Sequence, residues 1–461
     1  MYAVIVITLT AILSLYLGLY ASTKGYVLSI NLLGILIALV VSVLGWNKPH
    51  QYLNDMLRTD HYSISFSITL ILSTGLIMGM SKRFFGSIST HLAEYYSILL
   101  FALAGGIILV SFQNLTMLFL GLEILSVSVY ILSGIQKKDI GGNEAALKYF
   151  LMGSFFTAIL LLGIAFIYGA TGTFNISEIG VLISKGQVIS TFLYLGVGLI
   201  LIALCFKVSV APFHFWTPDV YEGSPVLITS FMSTVVKIAG FGAFLRLFYI
   251  GFSTLSHHFS GILWILVALT LFVGNINALY QTSMKRMLAY SSISHAGYML
   301  MAILAMGILS SNAILIYSIG YTLATITAFG ILMVVHQETG SFEFSTFHGF
   351  SKKNPLLAWM MVISMCSLAG IPLTAGFFGK FYIFSNAMDQ RLIFLVGIGV
   401  INAIIGIFFY FKVIVSMFMV NSDQVFEKIK LPLPLQLTFI LTTFFILILG
   451  IFPSLFANIL N

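Results

Sequence analysis

Ionisable residues lie inside long apolar stretches of this 461-residue sequence. Glu123 lies in the middle of one stretch, and Lys207, Lys237 and Lys380 lie in three others. Burial in a low-dielectric interior disfavours the charged form of a lysine, whereas a nearby carboxylate favours it. A lysine held between these influences can load or release a proton when one neighbouring charge moves. The pattern predicts proton transfer, with Glu123 supplying the charge that acts on Lys207.

Three further residues are candidate relays between these sites, namely Lys148, His214 and His295. Histidine suits this role because it changes charge near neutral pH. Each has an alternative interpretation: Lys148 lies near the start of its stretch and could extend to the membrane interface, and the histidines could be hydrogen-bonded core residues. Arg246 and Lys412 lie nearer the ends of their stretches, which favours snorkelling or structural pairing.

The composition requires a membrane around these residues. Apolar residues make up 59% of the chain and charged residues 8%, whereas about a quarter of a soluble domain is charged. A charge at the centre of a membrane helix costs about 2.5–3.5 kcal/mol, so several such charges need partners or internal water. Ionisable residues at this depth are therefore functional by default.

The apolar stretches have the length of membrane-crossing helices. A helix needs about 20 residues to cross the hydrocarbon layer. About fourteen such runs fill the sequence from end to end, which predicts an all-α polytopic membrane protein with a single transmembrane domain, 1–461. The runs are 2–20, 26–45, 62–80, 93–111, 114–133, 145–169, 190–212, 225–250, 260–281, 286–308, 311–336, 355–386, 391–420 and 432–458.

The seventh and twelfth predicted helices contain residues that interrupt helices. Pro212 and Pro218 follow the seventh run, and Gly370, Pro372 and Gly376 lie within the twelfth. Corresponding breaks indicate inverted repeats around a transport pathway. The breaks are five helices apart, and a unit with an odd number of helices reverses its orientation when repeated in tandem. We predict three N-terminal helices in 1–90, two inverted five-helix repeats (helices 4–8 in 91–250 and 9–13 in 258–420) and a C-terminal helix in 431–461.

Basic residues set the predicted orientation, because lysine and arginine concentrate in cytoplasmic loops. The bias places both termini on the outer side, and the membrane surface explains the net charge of +7 better than nucleic acid does. The first basic residue follows the run 2–20, so we interpret that run as a retained helix. Loops after odd-numbered helices contain Lys24, Lys82, Arg83, Lys137, Lys138, Lys285, Arg286, Lys352, Lys353, Lys428 and Lys430, and loops after even-numbered helices contain Lys48, Arg58, Lys185 and Arg391.

Motifs for cofactors and metals are missing from the sequence. It has no dinucleotide-binding glycine fingerprint, no P-loop, no cysteine cluster and no zinc pattern. Cys205 and Cys366 lie in apolar runs and are interpreted as small core residues. A sodium or potassium site would need several oxygen ligands together, which one deep carboxylate does not provide.

Segments around the predicted sites resemble the antiporter-like membrane subunits of respiratory complex I. Three carry the resemblance to the family: FKVSVAPFHFWTPDVYEGSP (206–225), KRMLAYSSISHAGY (285–298) and SLAGIPLTAGFFGK (367–380). NEAALKYFLMGSF (143–155) and YGATGT (168–173) are similar to the branch called subunit N. The sequence departs from the family at Ile371, where the family often has a second proline.

The resemblance implies a membrane-arm subunit of a bacterial NADH-quinone oxidoreductase, with fourteen helices in the cell inner membrane. It implies that Glu123 and Lys207 form a coupled pair and that Lys380 lies toward the exit. It also implies that the other membrane-arm subunits and the lipid bilayer are its partners. This chain would hold no cofactor, because NADH, FMN, iron–sulfur clusters and quinone would bind to partner subunits. The implied carriers are Glu123, Lys207, Lys237 and Lys380, bridged by Lys148, His214 and His295.

Three alternatives remain open from the sequence. A subunit of a multi-subunit sodium/proton antiporter or of a membrane-bound hydrogenase shares the motifs around Lys207 and Lys237. An independent secondary transporter would need a polar substrate pocket, which the sequence does not suggest. A structural membrane spacer would leave pumping intact after Lys207→Ala.

Overall fold

The computed structural model describes residues 1–20, 26–47, 49–85, 92–188, 190–307, 309–420 and 428–455. Lys24 and Lys48, used above for the orientation, lie outside these residues. The first half of the chain contains α1 Tyr2–Gly18, α2 Val27–Leu44, β1 His50–Tyr52, β2 Leu57–Thr59, α3 His61–Phe85, α4 Leu92–Ser111, α5 Leu115–Ser133, α6 Ile140–Thr171, α7 Ile176–Ser184, α8 Thr191–Lys207 and α9 Trp216–Gly223.

The second half of the chain continues the same helical architecture. One rod consists of α10 Val226–Phe231, a π-helical segment Met232–Val236, α11 Lys237–Arg246 and a second π-helical segment Leu247–Gly251. It is followed by α12 Ser256–Leu279, α13 Met284–Ala305, α14 Ser310–Thr339, α15 Phe350–Lys353, α16 Pro355–Ala369, α17 Ala375–Asp389, α18 Ile393–Phe418 and α19 Leu433–Ile451. Short 3₁₀ turns lie at Ser253–Leu255, Phe344–Phe347 and Pro453–Leu455.

Many of these helices are long enough to cross a membrane. Within the described ranges, eleven helical segments are long and apolar enough to cross a membrane. Three shorter apolar helices accompany them, Tyr2–Gly18, Thr191–Lys207 and Pro355–Ala369. The predicted helical membrane architecture is confirmed at this level.

A short β-hairpin departs from the all-α prediction. Strands β1 and β2 pair antiparallel, with Gln51 opposite Arg58, and Leu57 forms a further bridge to Phe112 at the end of α4. Strands of three residues are too short to show a period of two in the sequence. The hairpin also turns through Leu53, Asn54 and Asp55 at positive φ, which the residue types alone do not reveal.

The structure has a break at each of the two predicted places. Helix α8 ends at Lys207 and α9 begins at Trp216, whose indole Nε1 donates to the Phe206 carbonyl across the break at 3.1 Å. Helix α16 ends at Ala369, and Gly370 takes the left-handed conformation (φ +84°) before α17 begins. The backbone amide of Gly376 then donates to Ser367 Oγ at 3.1 Å. Each break therefore has local hydrogen bonds that hold its two halves in register.

The rod of α10 and α11 forms the centre of the molecule. Its most apolar part is completely buried inside the protein. Helices α3, α4, α13 and α14 all contact it. Peripheral helices instead expose large apolar side chains, such as Phe394 and Phe408 on α18 and Phe444 on α19. This distribution is that of a protein whose outer surface faces lipid or neighbouring membrane subunits, with its polar groups inside.

Glycines allow α6 and α8 to approach backbone to backbone. A Cβ added at Gly163 would lie 2.9 Å from the Gly196 carbonyl oxygen and 3.1 Å from the Ile200 backbone nitrogen. A Cβ added at Gly196 would lie equally close to the Gly163 carbonyl oxygen, at 2.9 Å. Small residues permit such close helix packing in membranes, where dispersion and packing drive association.

Gly163→Val is expected to push α6 away from α8 and to destabilise the protein by about 1–3 kcal/mol, because the obstructing atoms are backbone. Thermal unfolding of the detergent-solubilised protein measures the change. Gly169→Val on the same helix is the matched control, since a Cβ there meets nothing within 4 Å. Equal midpoints for the two variants would contradict the proposed close contact.

Candidate functional site

Lys207 is the last residue of α8 and points into the interior beside the first break. Its side chain is buried, and Nζ donates to Ser126 Oγ on α5 at 2.7 Å. Glu123 lies one turn earlier on α5, within electrostatic range of Lys207, and its carboxylate accepts from Thr157 Oγ1 at 2.6 Å. Within the described part of the chain, Ser126 is therefore the hydrogen-bond partner of the lysine, and the coupling of Glu123 with Lys207 stays a prediction.

A small cavity lies beside Lys207 and beside Thr157, whose hydroxyl binds Glu123. It has a volume of about 10 Å³ and lies between α5, α6 and α8. Its polar lining consists of Ser126, Tyr130, Thr157 and Lys207. A space of this size with several polar partners holds about one water molecule. One water would connect the hydroxyl that binds Glu123 to the lysine.

Lys237 lies at the centre of the protein, where the first π-helical segment passes into α11. Its Nζ donates to both the carbonyl and the hydroxyl oxygen of Ser292 on α13, at 2.5 Å each. The hydroxyls of Tyr221 and Tyr321 also interact with Ser292. π-Helical segments inside α-helices frequently mark functional sites, and here the segment positions the one lysine of the rod.

His295 lies one turn beyond Ser292 on α13 and is buried. Its Nδ1 is 2.5 Å from the Tyr317 hydroxyl and its Nε2 is 3.0 Å from the Tyr410 hydroxyl. The charges of both Lys237 and Lys380 reach this imidazole. His295 is therefore in electrostatic range of both the central lysine and the lysine of the second break, and its relay role stays a prediction.

Lys380 lies in α17, directly after the second break. Its Nζ donates to the carbonyls of Leu368 and Ala369 at 3.1 and 2.7 Å, which are the last residues of α16. The ammonium also lies 5.0 Å from the centre of the Tyr298 ring. A cation at a helix C-terminus is stabilised by the helix dipole and by the free carbonyls. The broken helix thus supplies the binding site for this lysine.

Lys148 lies in a surface ion-pair network. It is not part of the buried row, which consists of Lys207, Lys237, His295 and Lys380. Its side chain is 43% exposed and pairs with Glu144 at 2.7 Å and Asp219 at 3.0 Å. Arg286 pairs with the same Asp219 at 3.1 Å and with Glu222 at 2.5 Å. Burial works against the charge of Asp219, but the Lys148 hydrogen bond and both cations hold its pKa below the ordinary value. The relay role of Lys148 stays a prediction.

His214 lies in the segment between α8 and α9 and is buried. Among the described residues, its Nδ1 has no hydrogen-bond partner. The ring lies 4.7 Å from that of Phe215, centre to centre. The structure does not connect His214 to the lysines through direct contacts, so its relay role also stays a prediction.

A larger cavity of about 600 Å³ lies at the end of α9, between α9, α13 and α14. Lys285, placed in a loop by the sequence analysis, is the second residue of α13, and its buried Nζ donates to the Glu222 and Ser224 carbonyls at 2.7 and 2.6 Å. His336 and Asp139 also line this cavity. The burial of Lys285 could not be predicted from the sequence, because this lysine stands beside Arg286 at the start of an apolar run, a position typical of loop residues.

Arg246 and Lys412 have the structural contacts that their positions favoured. Arg246 is buried and binds the Asp60 carboxylate with two guanidinium nitrogens, at 3.2 and 3.0 Å. Lys412 is exposed, donates to the Gln281 carbonyl at 3.0 Å and lies over the Phe344 ring. Neither side chain contacts the buried row in the described structure.

Four hydroxyl-bearing partners of the row were not found from the sequence: Ser126, Ser292, Tyr317 and Tyr410. The chain contains 21 tyrosines, and nothing in their spacing separates these two from the rest. Within the described ranges, no group of three His, Cys, Asp or Glu side chains could hold a metal ion. The hydrogen-bond partners of Lys207, Lys237 and His295 thus include side-chain hydroxyls.

Two relatives of the chain carry the same name. Proteins named NADH-quinone oxidoreductase subunit N from Trichlorobacter lovleyi and Cytophaga hutchinsonii are each 40% identical to it. The first alignment covers 94% of this chain and 90% of the relative, and the second covers 100% and 99%.

Solved structures have the same fold. A chain of respiratory complex I from Thermus thermophilus with bound Aureothin is 31% identical, with a TM-score of 0.84 over 99% of this chain and 98% of that one. A chain of the Mrp complex from Dietzia is 19% identical with a TM-score of 0.86, over 99% and 95%, and this match concerns the fold alone. The family model described as NADH:quinone oxidoreductase/Mrp antiporter, TM, matches residues 113–406. The chain therefore belongs to the NADH:quinone oxidoreductase/Mrp antiporter transmembrane family.

Proposed function

We propose that this chain is the proton-translocating membrane subunit of a bacterial NADH-quinone oxidoreductase. Quinone reduction in partner subunits drives proton transfer through it, and NADH, FMN, iron–sulfur clusters and quinone bind there rather than here. The observation that carries the proposal is the row of buried lysines with polar partners, Lys207 with Ser126, Lys237 with Ser292 and Lys380 with the Ala369 carbonyl, together with His295, which is in electrostatic range of Lys237 and Lys380. The subunit N relatives support the choice of complex.

The fold proposed for this function has fourteen crossings, in which the three shorter apolar helices count with the eleven longer ones. Two inverted five-helix repeats lie in 91–250 and 258–420. Helix α6 is capped by the following Gly172, with φ +71° and a 2.7 Å bond from its amide to the Tyr168 carbonyl. Helix α14 is capped in the same way by Gly340, with φ +74° and a 2.7 Å bond from its amide to the His336 carbonyl.

Backbone links outside the helices support the same repeat. The Leu115 amide donates to the Phe174 carbonyl at 2.9 Å, which joins the start of α5 to the segment after α6. The Met284 amide donates to the Phe342 carbonyl at 2.8 Å, which joins the start of α13 to the segment after α14. Isolated bridges accompany both links, Asn114 with Asn175 and Ser283 with Glu343.

Matching α5 with α13 through these links places the functional positions in register. Asn114 then corresponds to Ser283, and the same shift aligns Glu123 with Ser292 and Ser126 with His295. In each half, residues at these same two positions therefore belong to the buried row or lie within hydrogen-bonding or electrostatic range of one of its members. A duplicated unit would produce this arrangement, with a carboxylate kept in one half and a hydroxyl in the other.

Proton uptake is proposed to begin at the 600 Å³ cavity beside Lys285. Several predicted cytoplasmic loops meet there, and both termini would lie on the opposite, outer side. Some buried polar atoms have no protein partner in the described residues, among them Ser224 Oγ, Ser230 Oγ and His336 Nδ1. All three lie on segments that line the cavity or extend from it. Such atoms are usually satisfied by internal water. Water along α10 would connect the cavity with Lys237.

Lys207→Ala in the assembled complex is expected to lower coupled proton pumping by at least about tenfold, because it removes one proton carrier. Quinone reduction and proton uptake would be measured in sealed vesicles. Lys353→Ala, an exposed residue of α15, is the control. Unchanged pumping with Lys207→Ala in an assembled complex would favour the structural-spacer alternative.

Co-purification separates the proposal from its closest alternative. An oxidoreductase subunit should be isolated with NADH-oxidising, iron–sulfur partners. A subunit of a sodium/proton antiporter or of a membrane-bound hydrogenase would be isolated without the NADH-oxidising partners.

A further inference from the structure

We propose that Tyr317 and Tyr410 are proton-transfer residues that load and unload His295. The inference rests on the proposed function and adds two residues to its route. Each ring nitrogen of His295 faces one phenol, Nδ1 toward Tyr317 at 2.5 Å and Nε2 toward Tyr410 at 3.0 Å. Both phenols can donate and accept.

The two tyrosines come from opposite sides of the histidine. Tyr317 belongs to α14 and Tyr410 to α18, whereas His295 belongs to α13. Both tyrosines are buried, with 3% and 2% of their surface exposed. Three helices thus converge on one imidazole, and its two nitrogens lie in different hydrogen-bonded branches. In the neutral imidazole one of these nitrogens donates and the other accepts, so each branch holds one of the two roles.

Each branch leads toward one end of the proposed route. The Tyr410 hydroxyl lies 2.5 Å from Ser291 Oγ, and Ser291 is adjacent in sequence to Ser292, the partner of Lys237. Tyr317 packs against Gly379: a Cβ added at Gly379 would lie 3.1 Å from the Cα of Tyr317. Gly379 directly precedes Lys380. Tyr410 therefore contacts the residue next to the partner of Lys237, and Tyr317 lies beside the residue that precedes Lys380.

The transfer step balances without a lasting charge on the imidazole. A proton arriving from the Ser291 side joins the Tyr410 oxygen while Tyr410 passes its own proton to Nε2. Nδ1 passes its proton to the Tyr317 oxygen while Tyr317 releases its own toward Lys380. One O–H or N–H bond forms for each that breaks, and His295 ends as its other neutral tautomer. A standing positive charge there would be repelled by loaded Lys237 and Lys380.

Tyr317→Phe and Tyr410→Phe in the native complex test the inference, because each removes one hydroxyl and keeps the ring. Each is expected to lower NADH-driven proton pumping by at least about tenfold. The solvent deuterium isotope effect on turnover should rise in both variants, since proton transfer at His295 then limits the rate. A structural role would not change that isotope effect.

Tyr96→Phe is the matched control, because it is a buried tyrosine on α4 whose hydroxyl lies 2.6 Å from Ser81 Oγ, away from the route. Full pumping by both test variants would overturn the inference, as would losses without a larger isotope effect or equal losses in Tyr96→Phe. Lys237→Met separates the two proposals. If it stops pumping while both tyrosine variants pump normally, only the tyrosine inference fails; if it also pumps normally, the proposed function fails.

Discussion

Lys237→Met is expected to stop proton translocation through this chain while leaving the protein at least as stable as the wild type. Methionine has nearly the length of lysine and fills the buried site without a charge. Replacing a buried charge by a well-packed apolar side chain is often neutral or stabilising. Loss of a positioned proton-transfer group, by contrast, costs on the order of a hundredfold in rate. Stability and activity should therefore respond in opposite directions.

The central position of Lys237 explains why this effect exceeds that of Lys207→Ala. Lys207 has a cavity with room for about one water beside it, which offers a partial bypass. Lys237 instead lies in the fully buried rod and binds Ser292 directly. The assay is the initial rate of NADH-driven proton uptake by vesicles, alongside a thermal unfolding curve. A stable Lys237→Met complex with wild-type pumping would contradict the account.

Asp60→Ala is expected to cost about 3 kcal/mol of folding stability. Arg246 has a side chain that is 1% exposed, and Asp60 is its carboxylate partner. Its guanidinium also donates to the Phe112 carbonyl at 2.8 Å and the Val110 carbonyl at 3.3 Å, which fixes the end of α4. Removing Asp60 leaves a buried cation without a counter-charge, whereas removing both charges avoids that cost.

Thermal unfolding of the single variant and of Asp60→Ala/Arg246→Met measures this effect. The double variant should regain most of the lost stability. Asp55→Asn, in the turn of the β-hairpin, is the control, because Asp55 is exposed and asparagine tolerates its positive φ. A double variant less stable than Asp60→Ala alone would show that the ion pair is not the source of the loss.

Acid should weaken the same ion pair. Burial works against ionisation of Asp60, but the charge and hydrogen bonds of Arg246, together with Ser63, hold its pKa below the ordinary value. A lowered folded-state pKa adds stability that is complete above the unfolded pKa of about 3.9 and is lost as the pH falls through the folded pKa. Below about pH 4, wild-type stability should therefore fall toward that of Asp60→Asn, which lacks this titration.

The positions of the charged groups could be predicted from the sequence because charge inside an apolar run is costly wherever the run packs. Glu123, Lys207, Lys237 and Lys380 stand out for that reason alone. The two helix breaks could also be predicted from the sequence, because proline and glycine act locally on the backbone. Gly370, at φ +84°, lies at the second of the predicted breaks.

The partners of these groups could not be predicted, because they are set by packing between distant helices. Ser126 and Ser292 are ordinary hydroxyl residues, and each becomes distinctive only when a lysine from another helix reaches it. The same reasoning explains Lys285, whose neighbours in sequence are typical of a loop. Its burial depends on the carbonyls at the end of α9, which belong to a segment some sixty residues earlier.

Proton flux through single and double variants tests most directly whether the buried row is one continuous route. Lys207→Ala, Lys237→Met and the combination would be compared in vesicles, as protons moved per quinone reduced and as absolute rate. If the two lysines act in series, the combined variant should pump as fast as Lys237→Met alone. The slower proton-transfer step, at Lys237, already limits the rate. Two independent pathways would instead leave each single variant with a large share of the flux and lose it only in combination, and that result would contradict the account.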